Sequence, residues 1–281
     1  MVTDRFIEKV ESETKFECGY CPHIPGLGND TIEFHGVTEE EKWQQIVASH
    51  ARFEDHSTSL SEVRSFVFNN PLAYTDELII VPTIGCFMEG YLLAITRKHV
   101  YSTGELRSRE LAKVEADLSE LVKNLEGIFE TDSYIVFEHG SAGPSRPGGS
   151  CVRHAHYHLM PIGMQNIRRV LMQRAPKQKV AMKWIELSSY SKLSEFKGEN
   201  YAFVDSGLEK WIWLEPTIDA FRLPGQWIRK TVASFYDVEE WDWASDAGLG
   251  RALSTRFKFQ NGRATHEARF PLNAPPLLVG K

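Results

Sequence analysis

Between positions 108 and 131, Leu111, Val114, Leu118, Leu121, Val122, Leu125, Ile128 and Phe129 recur every three or four residues, with charged side chains filling the positions between them. That spacing matches the turn of an α-helix, so the stretch predicts one long helix with a single apolar stripe. Shorter apolar runs flank it. Residues 77–82 and 90–96 read as strands before the helix, and 134–138 and 152–160 as strands after it. The order strand, strand, long helix, strand, loop, strand predicts an α+β fold: an antiparallel sheet with a long covering helix.

The ends of the chain are less regular. Residues 1–37 are punctuated by Pro25, Gly26, Gly28 and Asn29, and residues 54–75 are polar. Thr38 followed by three glutamates predicts a helix start, because a hydroxyl cap and an acidic first turn both suit a helix N-terminus. Beyond position 163 the pattern predicts a helix over 167–174, a hairpin of strands 201–205 and 210–214 turning at Ser206-Gly207, and an amphipathic helix over 225–235. In that last helix Trp227, Ile228, Val232 and Phe235 are expected inward. The tryptophans of this region predict a mixed α/β C-terminal extension packed on the preceding domain. The tail after Asn261 is expected to be loosely ordered. The expected organisation is a catalytic domain over 1–165, its N-terminal segment included, and an extension over 166–281.

Composition narrows the function classes. With 42% hydrophobic and 25% charged residues the chain can bury a core, and its net charge of −6 argues against coating a nucleic-acid polymer. No apolar run has the length of a membrane span, and the first residues carry no signal-peptide core, so a cytoplasmic protein is expected. The four cysteines, Cys18, Cys21, Cys86 and Cys151, are too few for a disulfide scaffold. Cys18-Gly-Tyr-Cys21 has the spacing with which structural zinc sites point two thiolates at one ion. A redox pair would want a thioredoxin-like βαβ pattern, which is not apparent here; an incidental pair of thiols is the third reading.

The densest chemistry lies at His154-Ala-His156-Tyr-His158, behind the loop Gly143-Pro-Ser-Arg-Pro-Gly-Gly149. In a strand, alternate residues share a face, so this pattern sets three imidazoles in a row, with Ala155, Tyr157 and Leu159 opposite. Imidazole titrates near neutrality, is a good nucleophile and binds metals. Chemistry on a phosphate, a metal row, or three histidines on a solvated face are the readings this pattern leaves open.

From Gly149 to Pro161 the sequence resembles the signature of the histidine triad (HIT) superfamily. The stretch 90–99, ending in Arg97-Lys-His99, is similar to the strand that precedes the helix in that family, and the likeness spans about 78–162. The resemblance implies a nucleotide hydrolase or nucleotidyltransferase. In it His156 attacks an α-phosphorus to form a nucleotidyl-histidine, His154 orients His156 through its main-chain carbonyl, and His158 contacts the phosphate or assists proton transfer. For such a phosphate the main-chain N–H groups of Gly148, Gly149 and Ser150 are the expected donors, since a Gly-rich loop allows close approach, with the Ser150 and Cys151 side chains and Arg146 as further candidates, Arg153 either a further cation or a solvated surface arginine, and His139 beside them. The resemblance also implies structural Zn2+ on Cys18, Cys21, His99 and His154. The long gap from Cys21 to His99 departs from small members and leaves His23, His35, His50 or His56 as substitutes for the third ligand.

Two further departures matter. Ser150-Cys151 stands where the family places a glutamine followed by Ser or Thr, and Glu138-His139 stands where it often has an amide. A carboxylate beside a phosphate is repulsive, so Glu138 must face away or the substrate must differ. Histidine rather than glutamine at 158 favours the hydrolase branch. The expected substrates are nucleoside phosphate esters, anhydrides or phosphoramidates, of the diadenosine polyphosphate type. The competing readings are a phosphorylase or transferase of specialised metabolism, a non-catalytic nucleotide-binding protein, and a catalytic metal on the three histidines. The expected partners are a nucleotide or nucleotidylated small molecule and a second copy in a homodimer, with no membrane.

Overall fold

The computed structural model describes residues 71–143, 153–162, 167–174, 184–215, 225–239, 241–242 and 248–265. The described strands form one eight-stranded sheet: β1 (Ala73–Tyr74), β2 (Leu78–Pro82), β3 (Leu92–Thr96), β4 (Ile135–Gly140), β5 (His156–Met160), β6 (Trp184–Glu186), β7 (Tyr201–Asp205) and β8 (Lys210–Leu214). Their order across the sheet is β1-β2-β3-β5-β4-β7-β8-β6, and every neighbouring pair is antiparallel. The architecture is α+β. The helix α1 (Ser108–Phe129) joins β3 to β4, and β5 then inserts between those two strands.

Both faces of the sheet are covered. On one face Tyr157, Leu159, Leu92, Ala94 and Phe203 pack beneath Leu111, Val114, Leu118, Leu121 and Leu125 of α1. On the other, Phe137, Met160, Val204 and Trp213 pack beneath the helices α2 (Ile167–Arg174) and α3 (Trp227–Phe235). A strand buried on two sides needs apolar residues at every position. That is why Leu78-Ile-Ile-Val-Pro82 lacks a polar alternate, and all five of its residues are buried. At the start of α1 the Glu110 carboxylate folds back to accept from the Arg107 N–H at 2.9 Å, satisfying one of the donors a helix start leaves unpaired.

Residue 165 does not divide the sheet. β7 pairs with β4 from Val136↔Asp205 to Gly140↔Tyr201, and β8 pairs with β7 through the turn at Ser206-Gly207. Several expectations need correction. Phe235 is 46% exposed rather than inward: Trp227, Ile228 and Val232 already fill the buried side of α3, and position 235 ends the helix at its rim. Residues 262–265 continue the helix α4 (Leu249–Thr265), where a Cβ at Gly262 would fall 2.8 Å from Ile128 on α1, while residues 266–281 of the expected tail lie outside the described residues. The short strands β1 and β6 carry too few residues for a pattern to register. The helix expected from Thr38 lies outside the described residues.

Candidate active site

β5 occupies the middle of the sheet, and its alternation divides the histidine strand between the two faces. The registers Phe137↔His158 and Leu93↔His158 put Phe137, Leu93 and His158 side by side on the face covered by α2 and α3. Continuing the same register places His139 across from His156. The row of three imidazoles holds for two of them. His156 and His158 have ring centroids 4.8 Å apart. His154 lies before the strand proper, and its ring is engaged elsewhere, with His99 at 4.9 Å and nearly perpendicular to it.

The hydrogen bonds decide which nitrogen each ring offers. Nδ1 of His156 lies 2.7 Å from the main-chain carbonyl of His154. A carbonyl only accepts, so Nδ1 carries the proton and the neutral ring keeps its lone pair on Nε2. In the same way Nε2 of His154 donates to the Thr96 carbonyl at 2.7 Å, and the lone pair of that ring is on Nδ1. Residues 154–155 are tied to the end of β3 by Ala155 N–H to Val100 carbonyl at 2.7 Å and Thr96 N–H to Ala155 carbonyl at 3.1 Å. The carbonyl that orients His156 is therefore itself held.

His158 stacks on Phe137, with centroids 4.5 Å apart and planes 10° from parallel, and its Nδ1 meets the Tyr91 hydroxyl at 2.7 Å. Burial holds the His158 pKa well below the ordinary histidine value, and His156, His139 and Arg229 push it the same way. Burial, then His156, lowers the His139 pKa to about 3. The Nε2 of His139 is buried and has no hydrogen-bond partner among the described residues. A buried polar atom without a partner is expected to meet a ligand or ordered water.

Glu138 faces the opposite side of β4. It accepts from the Thr103 N–H at 2.7 Å, from the Thr103 hydroxyl and from the Tyr201 hydroxyl at 2.9 Å. The carboxylate is thus kept from the histidines by one step of strand alternation. Gly140 permits this arrangement: a Cβ there would fall 2.3 Å from the Tyr201 ring.

Of the residues expected at the site, Gly148, Gly149, Ser150, Cys151 and Arg146 lie outside the described residues, as do Cys18 and Cys21 and the substitutes His23, His35, His50 and His56. Arg153 is exposed. Among the described residues no three His, Cys, Asp or Glu side chains converge as for a metal ion. A metal held by His154, His156 and His158 together is therefore not supported by their geometry. His99 and His154 do fit as one half of a four-ligand set. Their rings adjoin, and the bond from His154 Nε2–H to a carbonyl is the outer contact that usually orients a metal-binding imidazole.

Two residues at the site carry no sequence signal that names them. Tyr91 follows Gly90, whose φ of +84 turns the chain into β3. Arg229, on α3, is buried and donates to the carbonyls of Trp241 at 2.7 Å, Ile84 at 3.3 Å and Gly85, with its guanidinium carbon 5.3 Å from the Tyr91 ring centroid. Two polar residues buried amid apolar neighbours could have been found only as breaks in an apolar pattern, and short segments hide such breaks. No helix among the described residues is long and apolar enough to cross a membrane.

No protein-family model matches the chain, and no curated protein does. Among solved structures, a Hit-like protein involved in cell-cycle regulation from Bartonella henselae, determined with an unknown ligand, aligns with 36% of this chain and 72% of its own, at 20% identity and a TM-score of 0.29. So distant a likeness decides nothing about the chemistry.

Proposed function

We propose that this protein is a nucleotide hydrolase or nucleotidyltransferase of the histidine-triad type, in which Nε2 of His156 attacks the α-phosphorus of a nucleoside phosphate ester, anhydride or phosphoramidate. The observation that carries the reading is the 2.7 Å bond from His156 Nδ1–H to the His154 carbonyl, which leaves the lone pair on Nε2. In the first step the Nε2–P bond forms and the bond from phosphorus to the leaving group breaks, the leaving group taking a proton from solvent. In the second, water or another acceptor attacks phosphorus and releases a proton to solvent, and the Nε2–P bond breaks with its electron pair returning to Nε2. Splitting one displacement into two is the usual gain from a covalent nucleophile. The orientation of Glu138 toward Thr103 and Tyr201 supports the reading, since it removes a carboxylate from the phosphate side. Neutral His139 and His158 would contact the phosphoryl oxygens, together with main-chain N–H groups of Gly148, Gly149 and Ser150, the Ser150 and Cys151 side chains and Arg146.

Zn2+ would be held by Cys18, Cys21, His99 and His154; it would supply a structural clamp at the start of the nucleophile's strand. What supports this is the pairing of His99 with His154.

Intact-mass spectrometry of the protein quenched during turnover of adenosine phosphoramidate or diadenosine tetraphosphate should reveal a nucleotidyl adduct on His156. His156→Ala should lower kcat by about 1000-fold or more while leaving nucleotide affinity within a few-fold. Unchanged turnover in that variant would sink the covalent mechanism. Metal analysis should find about one zinc per chain, lost in Cys18→Ser or His99→Ala and kept in His158→Ala. Loss of zinc in His158→Ala would instead point to metal chemistry at the triad.

A further inference from the structure

His156 and His158 are adjacent on one face of β5, yet their ring protons are governed by opposite kinds of group. A carbonyl faces Nδ1 of His156, and a phenol faces Nδ1 of His158. A phenol is a much stronger acid than a neutral imidazole N–H, and an imidazole lone pair is a stronger acceptor than a phenolic oxygen. In the 2.7 Å contact between Tyr91 and His158 the proton therefore belongs to the hydroxyl, which donates to Nδ1. Arg229 biases the pair the same way. Its guanidinium lies 5.3 Å from the Tyr91 ring centroid, and a nearby cation makes a phenol a better donor. It is fixed there by three main-chain carbonyls, from Ile84, Gly85 and Trp241. Phe137, stacked on His158, holds the plane of the ring.

We propose that Tyr91 is a positioning residue that locks His158 in the Nε2–H form, so that β5 presents a lone pair at His156 beside an N–H at His158. Burial lowers the His158 pKa and so favours the neutral ring, which has a single proton to place. The use of this arrangement rests on the reading of the previous subsection. A phosphoryl group in front of His156 meets a nucleophile at one ring and a donor for a non-bridging oxygen at the next. With the other tautomer at His158, a lone pair would face the non-bridging oxygen and repel it. The helix α3 thereby acts on the triad strand through Arg229 and Tyr91.

Long-range nitrogen–proton correlation spectra of the 15N-labelled full-length protein near neutral pH test the assignment. His158 is identified by its disappearance in His158→Gln. In the wild type, His158 should show a protonated Nε2 and a bare Nδ1, and His156 the reverse; a protonated Nδ1 at His158 would overturn the proposal without any variant being needed. In Tyr91→Phe, His158 should move toward a mixture of tautomers while His156 stays as it was. An unchanged His158 spectrum in that variant would also overturn it. With a nucleoside phosphoramidate as substrate, Tyr91→Phe should lose about tenfold in kcat with KM changed by less than about twofold. Should the wild type turn over no nucleoside phosphate, the enzymatic reading falls, and the wild-type spectrum still decides the tautomer.

Discussion

Glu138 and His139 are neighbours in sequence with opposite surroundings, and their titrations oppose each other. Burial raises the Glu138 carboxyl to about 7, against the bonds from Thr103 and Tyr201 that favour its ionised form. A carboxyl raised on folding stabilises the fold fully below its unfolded value of about 4.5, and that stability is lost as pH rises through about 7. For His139 the sign reverses: its stabilising contribution is present above the ordinary 6.5 and is lost as pH falls toward about 3. Urea unfolding of wild type and Glu138→Gln, compared between pH 4.5 and 7, should therefore diverge. The wild type should lose a few kcal/mol relative to the variant across that window. Parallel profiles would show that Glu138 does not titrate there. The sequence alone says that residues 138 and 139 face opposite ways, because strand side chains alternate. Which of them faces the histidines depends on β4 lying beside β5 in the register Phe137↔His158, a pairing between distant segments.

Among the elements, α1 is the one whose pattern was complete in the sequence. Its stripe is the buried stripe, with Leu111, Val114, Leu118, Leu121 and Leu125 against the sheet. The helix α3 was legible as a helix but only in part as a face, since Phe235 points outward and Arg229 inward. An arginine inside an apolar stripe looks like an error of pattern until its acceptors are known, and those are carbonyls of the 84–85 turn and Trp241. Replacing Arg229 by Met should cost about 3 kcal/mol or more, because buried carbonyls lose their donors, whereas Phe235→Ser should stay within about 0.5 kcal/mol. Denaturant unfolding of the two variants makes the comparison; equal costs would mean that Arg229 does not anchor α3.

At the scale of the molecule, the C-terminal segment completes the sheet that holds the candidate site. Without β7, strand β4 would become an open edge, and the histidine face would lose Trp213 and α3. A fragment ending at residue 165 should therefore fail to fold as a soluble monomer, with a collapsed near-ultraviolet circular dichroism signal and association in light scattering. A well-folded fragment would show that the two segments are independent. By itself the sequence determined what local periodicity and local chemistry can carry. These are the long helix, the strands rich in β-formers, the hairpin at Ser206-Gly207, and the histidines that could act on a phosphate. Tertiary structure decided which of those histidines share a face, where Glu138 points, and that Tyr91 and Arg229 belong beside His158. Those outcomes come from pairings among strands far apart in the chain and from helices closing over both sides of one sheet, which no window of neighbouring residues encodes.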